Sequence, residues 1–485
     1  MKSSDVVRAL APDDQTADEE PLTATLFPLR FLGMGLLIAW LCCTHVVSIF
    51  PGVSFETSLR TLFDSGMRVG DIGTFVVFAL LAPRIGRLSS HKVLLWCAVL
   101  LTSCGTGLVG FFLLPSGTSE DIMNVVSVVT GVGGAFLFCL WAEVYCQMGT
   151  TRTLMYGALS CVTAAVVSFL ISALEQPYGV AATALLPVAS LACAILSFRL
   201  LPTERAATRD VRYPIPWKLI MIMAIVGLLS SFSGTFLAPT EYVGAFHRIW
   251  ATATVGIAIL VMALAWQNRF DARLLVKVGL PISILAFAII PFAAPDWGFV
   301  VSVLMRFAYV WFTFFVLLML ANISYRFEVP SLRMFAIARA SSEGALFIGL
   351  LARRALIEAH VLDTLLALIG FALGGIVLIL VCVVIWMSEK TVNSDWGASG
   401  ISLSDKLHVP GPRERFMARC DAIAAQYGLT PREQEIMALI AQRKSRAEIE
   451  QELFLSQNTV KTHVRHLYAK LGVGSKADVI ELLEA

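Results

Sequence analysis

Long apolar segments recur along most of this chain, and they constrain its fold more than any other feature. Between Phe31 and Met387 there are twelve, each close to the roughly 20 residues that an α-helix needs to cross a bilayer. We predict membrane spans at residues 31–50, 66–82, 93–114, 122–146, 153–174, 179–200, 218–238, 246–266, 275–292, 298–321, 335–356 and 362–387. The chain is 57% hydrophobic and 15% charged. Soluble domains carry about 25% charged residues, so the composition also indicates a membrane protein.

Lysine and arginine are distributed unevenly among the loops between these segments. Alternate loops carry most of them, as between residues 84 and 92, whereas the loops near 115–121 and 293–297 carry none. The adjacent Arg353 and Arg354 are an exception. Because cytoplasmic loops are the ones enriched in Lys and Arg, we predict a multi-pass protein of the inner (cytoplasmic) membrane. Both termini would be cytoplasmic, and the lipid bilayer would be one partner.

Ionisable side chains inside the predicted spans are the first place to look for function, because a charge is costly in a bilayer. Arg306 lies well inside the tenth span, and Arg339 and Glu343 lie four residues apart in the eleventh, where they can pair. We predict that these three residues form a midplane site for an unknown polar or anionic small molecule. The alternative is that they only hold helices together. A structural role is the better interpretation for three other ionisable residues in the spans, Asp71, Glu143 and His45.

The loop after the second segment and the number of segments suggest a known architecture. In this loop Gly86 is followed by Arg87 and, after a short polar stretch, by Lys92. Six segments precede the polar, basic stretch 201–217, and six follow it. Loop and topology together resemble the major facilitator superfamily, although Pro83 stands where that family usually has Asp. The resemblance implies a transporter-like fold of six plus six helices.

The composition changes abruptly after Met387, and the chain divides there. We predict a membrane domain at 25–387, a polar linker at 388–411, a lead-in helix at 412–427 and a C-terminal domain at 428–485. Residues 1–24 are acidic and lack an apolar core, so we predict a disordered tail there.

Four short helices with clear start signals make up the C-terminal domain. Thr430 precedes Pro431 and stands three residues before Glu433, which predicts a capping box. The other three helices are predicted to start after capping serines, Ser445, Ser456 and Ser475.

The third of these helices has two different faces. Its apolar residues recur at steps of four, three and four, at Val460, Val464, Leu467 and Leu471. The opposite face carries cations and hydrogen-bonding groups, a combination that a DNA major groove accepts. The alternative is a solvated basic surface helix. Two short helices joined by a tight turn, with the second basic on its free face, indicate a helix-turn-helix.

Four sequence blocks of this region together resemble the LuxR-type DNA-binding domain. The blocks are Leu429–Ile436, Leu453–Ser456, Thr459–Val464 and Lys470–Val473. The resemblance implies binding to double-stranded DNA and a homodimer contact through the last helix, at 475–483.

The resemblance also implies roles for residues of the third helix. Lys461, Thr462 and Arg465 would reach base edges or phosphates in the major groove, and Asn458 and Thr459 would contact the DNA backbone. The complete set of predicted DNA-binding residues is Asn458, Thr459, Lys461, Thr462, His463, Arg465 and His466.

The sequence therefore predicts an all-α protein, a polytopic twelve-helix membrane domain (six plus six) followed by a small four-helix helix-turn-helix domain. We find no catalytic, phosphate-binding or metal-ligand spacing, and expect no enzyme activity, cofactor or metal. The pattern favours a membrane-anchored one-component transcriptional regulator. One alternative is a secondary transporter whose C-terminal DNA-binding tail couples transport to gene expression. Another is a passive membrane tether without a ligand.

Overall fold

The architecture was obtained as a computed structural model. It describes residues 28–44, 49–50, 58–148, 150–198, 215–234, 246–265, 272–292, 297–327, 329–361, 364–381, 412–442, 444–453 and 455–484. Within these ranges the chain is helical and contains no strand, which confirms the all-α prediction. The chain forms a membrane unit, mostly residues 1–408, and a C-terminal unit, mostly residues 409–485. The predicted tail (1–24), the predicted linker (388–411) and His45 lie outside the described residues.

Twelve apolar helices make up the described part of the membrane unit, one for each predicted segment. They are α1 (Gly33–Cys43), α2 (Ser58–Ile85), α3 (Lys92–Ser116), α4 (Glu120–Gln147), α5 (Thr150–Ser172), α6 (Tyr178–Phe198), α7 (Trp217–Ser230), α8 (Phe246–Ala265), α9 (Ala272–Ala288), α10 (Gly298–Phe327), α11 (Ser331–Glu358) and α12 (Leu365–Val381). Nine are long and apolar enough to cross a membrane. The described parts of α1, α7 and α12 are shorter and also apolar.

Helix α2 differs most from its predicted bounds. It begins at Ser58 rather than at residue 66, so Arg68 and Asp71 lie about three turns inside it and not in its first turn. The helix ends before Gly86, whose left-handed φ of 64° favours glycine. In the following turn, the Ser89 backbone N–H and hydroxyl both donate to the Glu143 carboxylate, at 3.1 and 2.5 Å. These contacts support a structural role for Glu143.

Small residues bring α2 and α4 into close backbone contact. A Cβ atom on Gly70 would lie 2.1 Å from the carbonyl oxygen of Val128, and one on Gly131 would lie 2.1 Å from that of Met67. Helices in lipid associate through such close approach of their backbones. Substitution of either glycine would push the two helices apart, so this contact fixes the position of Arg68, the next residue after Met67.

The C-terminal unit has five described helices around a separate hydrophobic core. They are α13 (Pro412–Tyr427), α14 (Pro431–Ala441), α15 (Arg446–Leu453), α16 (Gln457–Leu471) and α17 (Lys476–Glu484). Helix α13 packs on the other four, because Cys420 is buried in their core and the Arg419 guanidinium donates to the Leu483 carbonyl at 3.0 Å. The predicted capping box at Thr430 and Glu433 is confirmed. The hydroxyls of Ser445, Ser456 and Ser475 each accept a backbone N–H three residues later, as predicted.

Candidate DNA-binding face and buried charges of the membrane unit

Helix α16 presents two faces, as its sequence predicts. Its four apolar residues are buried, with Val460 and Leu467 fully so, and they pack in the core of the C-terminal unit. The helix begins at the Ser456 cap and ends at Gly472, which has a left-handed φ of 70°. Because one side is held by the core, the orientation of the other side is fixed relative to the unit.

The seven predicted DNA-binding residues lie on or beside the outer face of α16. Five are exposed, namely Asn458, Lys461, Thr462, Arg465 and His466. Thr459 and His463 are half-buried at the edge of the apolar side. The Thr462 hydroxyl donates to the Asn458 carbonyl at 2.9 Å. The arrangement offers cations and hydrogen-bonding groups on one exposed strip of helix, which is what phosphates and base edges bind.

Lys470 joins the last turn of α16 to the first turn of α14. The sequence pattern predicts no role for this residue. The Lys470 ammonium donates to Glu433 Oε2 at 2.7 Å and to the Gly428 carbonyl at 2.9 Å. The same Oε2 accepts the Thr430 backbone N–H at 2.8 Å. Burial alone would raise the pKa of Glu433, but the hydrogen bonds from Lys470 and Thr430 outweigh it and lower the pKa to about 2.

Glu433→Gln is expected to lower the free energy of unfolding of a 412–485 fragment by roughly 1–3 kcal/mol at pH 7, because a buried charge-assisted hydrogen bond is lost. The folded-state pKa lies below the unfolded value, so the contribution of Glu433 is complete above about pH 4.5 and disappears toward pH 2. Because glutamine does not titrate, the Glu433→Gln variant should lose less stability between pH 7 and pH 3 than the wild type does. Urea unfolding of both proteins at these two pH values measures the difference in stability and its pH dependence.

The matched control is Glu435→Gln in the same helix. Glu435 pairs with Arg432, but the two side chains are 44% and 47% exposed. An exposed pair contributes little, so we expect a change within about 0.5 kcal/mol. Equal losses for both variants would contradict the assigned role of Glu433.

Three charged side chains form a partly buried ion cluster inside the membrane unit. Glu343 accepts from Arg339 at 2.5 Å, four residues earlier on α11, as the sequence predicts. Its second carboxylate oxygen accepts from Arg68 of α2 at 3.0 Å, a partner that sequence spacing did not indicate. The three side chains are only 7–13% exposed. The cluster therefore connects a helix of the first six with a helix of the second six.

Aromatic rings of the first six helices enclose the Arg339 guanidinium. Its central carbon lies 4.6 Å from the ring centroid of Phe138 on α4 and 5.9 Å from that of Phe75 on α2. The two rings meet edge-on at 5.9 Å. A cation over an aromatic face is stabilised by the ring quadrupole, and more strongly where water is excluded. Arg339 is thus held by a carboxylate of its own helix and by rings of two other helices.

Arg306 has unused hydrogen-bonding capacity, as does Arg339, whose buried Nε likewise lacks a hydrogen-bond partner among the described residues. The Arg306 guanidinium lies over the Tyr309 ring at 4.6 Å, and its buried Nε has no hydrogen-bond partner among the described residues. Arg306 lies within electrostatic range of Arg68 and Glu343, and Asp71 is also close to that carboxylate. A guanidinium in this state can bind a carboxylate, phosphate or other polar group of a ligand.

Known structures support the transporter-like fold of the membrane unit. The chain is similar to the proton:xylose symporter XylE, a major facilitator superfamily protein, with a TM-score of 0.52 and 13% sequence identity. The similarity covers 75% of this chain and 95% of the symporter chain. At this identity the likeness shows the fold alone. The protein is therefore a polytopic, all-helical membrane protein of the major facilitator fold with a C-terminal helix-turn-helix domain.

Sequence relatives define the family of the C-terminal domain. The bacterial regulatory proteins of the luxR family match residues 427–483. The chain is 46% identical over 56 residues to the spore germination protein GerE of Bacillus subtilis (strain 168), which is 11% of this chain and 76% of GerE. It is 40% identical over 53 residues to an HTH-type transcriptional regulator of Mycobacterium bovis, which is 11% of this chain but 6% of that regulator. The chain belongs to the luxR family of bacterial regulatory proteins.

Proposed function

We propose that this protein is a membrane-anchored one-component transcriptional regulator. The membrane unit senses a small molecule or a membrane state, and the helix-turn-helix binds operator DNA. One observation carries the proposal: a luxR-family recognition helix with an exposed polar, partly cationic face stands in the same chain as a transporter-like membrane unit. The lysine and arginine bias of the loops supports an inner-membrane location with both termini in the cytoplasm, where DNA is accessible.

In the proposed DNA complex, the exposed strip of α16 enters the major groove. Lys461, Thr462 and Arg465 reach bases or phosphates, and Asn458 and Thr459 contact the backbone at the start of the helix. Phosphate contacts supply affinity and orientation, whereas groove contacts supply sequence specificity. The protein acts as a homodimer through α17, so that two recognition helices read two half-sites.

In the proposed sensing step, Arg306 binds the polar or anionic group of a small ligand. Arg339 and Glu343 contribute by joining α11 to α2 and by setting the charge around Arg306. A ligand that binds one helix arrangement more tightly than another shifts the population toward it, and only by that difference in affinity. The shift would reach the DNA-binding domain through residues 388–411 and change its dimerisation or its access to DNA.

Retardation of promoter DNA by the purified full chain in lipid nanodiscs tests the proposed function. Fragments from the protein's own locus should be retarded at low salt, and a 412–485 fragment should retard the same fragments more weakly if the membrane unit promotes dimerisation. Failure of both proteins to bind any fragment would overturn the proposal.

The transporter likeness supports one further candidate function. In that alternative the membrane unit is a secondary transporter, and its DNA-binding tail couples transport to gene expression. Substrate uptake by proteoliposomes that is abolished by Arg306→Ala, with DNA binding intact, would favour it. Regulation that survives replacement of all the spans by an unrelated anchor would instead indicate a passive tether.

Lys461→Ala is expected to weaken binding to all DNA sequences alike, because a lysine that neutralises a phosphate releases a condensed counterion. The slope of log K against log salt should fall by about one. Titrations of operator and random DNA at several salt concentrations measure the slope. Lys470→Ala is a useful comparison, because its ammonium is engaged by Glu433 and Gly428. Lys470→Ala is expected to change stability and not the salt slope. A salt slope that falls for Lys470→Ala but not for Lys461→Ala would contradict the assignment of Lys461 to a phosphate.

A further inference from the structure

The two ends of the membrane helices differ strongly in charge. The segments that join α2 to α3, α4 to α5, α6 to α7, α8 to α9 and α10 to α11 lie at the end proposed to be cytoplasmic. In sequence they carry fourteen Lys and Arg but only four Asp and Glu, counted over residues 84–92, 148–152, 199–218, 266–277 and 326–333. The segments at the opposite end carry four Lys and Arg and eight Asp and Glu, counted over residues 44–60, 115–121, 173–178, 231–248, 289–298 and 353–364.

Membrane insertion explains only part of this difference. Lys and Arg orient the spans, whereas Asp and Glu contribute little to the orientation. Topology therefore does not require that carboxylates be scarce at the basic end. None of the described residues of its five segments is acidic, and the nearby Glu143 is buried and accepts from Ser89. The described surface at this end thus offers cations without competing carboxylates.

Five cations are exposed on this surface, namely Arg84, Lys92, Lys218, Lys277 and Arg333. None of their side chains forms an ion pair or a hydrogen bond with another described residue. Lys92, Lys218 and Arg333 stand in the first turns of α3, α7 and α11, where the positive end of the helix dipole disfavours a cation. Helix stability does not account for these cations, and their charge is available to an anion from outside.

The C-terminal unit has little positive charge of its own. Residues 412–485 contain eleven Lys and Arg and ten Asp and Glu. Much of the affinity of a protein for DNA comes from Lys and Arg that neutralise phosphates. A nearly neutral DNA-binding unit therefore gains affinity from a second cationic surface in the same chain.

The length of chain between the two units lets DNA on α16 reach this end of the membrane helices. Thirty residues separate Val381, the described end of α12, from Pro412, the start of α13. A chain of that length spans at most about 110 Å. DNA is stiff over about 150 bp, or about 500 Å, so DNA held by α16 continues on both sides as a nearly straight rod. Phosphates that flank the binding site therefore pass within reach of the basic end.

We propose that Arg84, Lys92, Lys218, Lys277 and Arg333 form a second DNA-contacting surface, which binds phosphates of the DNA that flanks the operator. This surface reads no sequence, because a phosphate carries none. The inference rests on the proposed function, from which it takes the cytoplasmic orientation and the binding of the operator by α16.

The position of Arg333 favours DNA over the other source of phosphate, an anionic lipid headgroup. Arg333 begins α11, and this helix packs on α2, α4 and α7. Protein therefore surrounds the start of α11 on several sides, whereas a headgroup must stay above its own acyl chains at the edge of the helices. Arg84 lies at the end of α2, one of the helices on which α11 packs. A DNA rod that crosses this end can contact both residues.

Salt titrations with DNA of two lengths test the surface. The full chain in phosphatidylcholine nanodiscs, which carry no net charge, is titrated with a duplex from its own locus of about 20 bp, enough for two half-sites. The second duplex has the same site in the middle of about 60 bp. For the full chain, the slope of log K against log salt should be steeper by about 2–4 on the long duplex. The 412–485 fragment, which lacks the surface, should show nearly equal slopes.

The triple variant Lys92→Gln, Lys218→Gln and Arg333→Gln should lower the slope on the long duplex by about 2–3, because each phosphate contact contributes about 0.9. Binding to the short duplex should stay unchanged. Arg333→Gln alone should lower the long-duplex slope by about one. Its matched control is Arg354→Gln, at the opposite end of the same helix and 72% exposed, which should leave both slopes unchanged.

The outcomes separate this inference from the proposed function. If the full chain binds the short duplex but its slope depends on length no more than that of the fragment, the second surface is wrong and the regulator function stands. Equal effects of Arg333→Gln and Arg354→Gln would also overturn the surface. Absence of binding to both duplexes would overturn the proposed function and this inference together.

Discussion

Glu343→Gln is expected to destabilise the membrane unit by roughly 3–5 kcal/mol, the largest effect of any single substitution considered for this protein. The carboxylate is 7% exposed and compensates two guanidinium groups, those of Arg68 and Arg339. Removing its charge takes from two guanidinium groups in a low-dielectric interior the carboxylate that pairs with both, which costs far more than the pairs contribute on balance. Unfolding of the full chain by sodium dodecyl sulfate, added to mixed micelles, measures the loss.

A matched control lies on the same helix. Glu358 pairs with Arg354 at the same spacing of four residues, but these side chains are 65% and 72% exposed. Glu358→Gln should change stability by less than about 0.5 kcal/mol. Combining Glu343→Gln with Arg68→Met should cost less than the sum of the two single substitutions, because the second removes a cation that the first leaves unpaired. Similar small losses for both glutamine variants would show that the ion cluster does not stabilise the unit.

Arg465→Ala is expected to weaken binding to the preferred operator by roughly 1–3 kcal/mol, or about 5- to 150-fold, if its guanidinium reads a base. The residue is exposed in the middle of the outer face of α16, two turns after the capped start of the helix. A bidentate contact to a guanine edge is lost, so discrimination at that base pair should relax. Competition between operator and random DNA, followed at fixed salt, measures both effects.

Arg432→Ala serves as the control for loss of positive charge. Arg432 lies on α14, is 47% exposed and pairs with Glu435. Its removal should change operator and random DNA binding alike and only slightly. Equal losses on operator and random DNA for Arg465→Ala would mean that Arg465 contacts phosphate and does not read a base.

Patterns local in sequence predicted much of this architecture. The twelve apolar segments became twelve helices, because a bilayer requires about the same apolar length of each span. The caps at Thr430 and Ser456 could also be predicted, because a capping side chain accepts its hydrogen bond from the backbone N–H only three residues later. The predicted start of α2 was wrong, because Arg68 and Asp71 were interpreted as charges near the end of a span.

Contacts between distant parts of the chain could not be predicted. Arg68 and Glu343 are 275 residues apart, and neither hydropathy nor spacing indicates which helices meet. Lys470 begins one of the four sequence blocks, but its bond to Glu433 depends on how α14 and α16 cross.

In the proposed sensing step, the ion cluster between α2 and α11 sets a threshold for which molecules could act as signals. Moving a two-state protein from 1:99 to 99:1 requires an affinity ratio of about 10⁴ between the states, or about 5.5 kcal/mol. If separation of α2 from α11 is the switching step, the signal must compensate the loss of the Glu343 contacts as well. Abundant metabolites that bind both helix arrangements equally would not switch the protein from one state to the other. A regulator built in this way would respond only to a ligand that binds one helix arrangement much more tightly than the other.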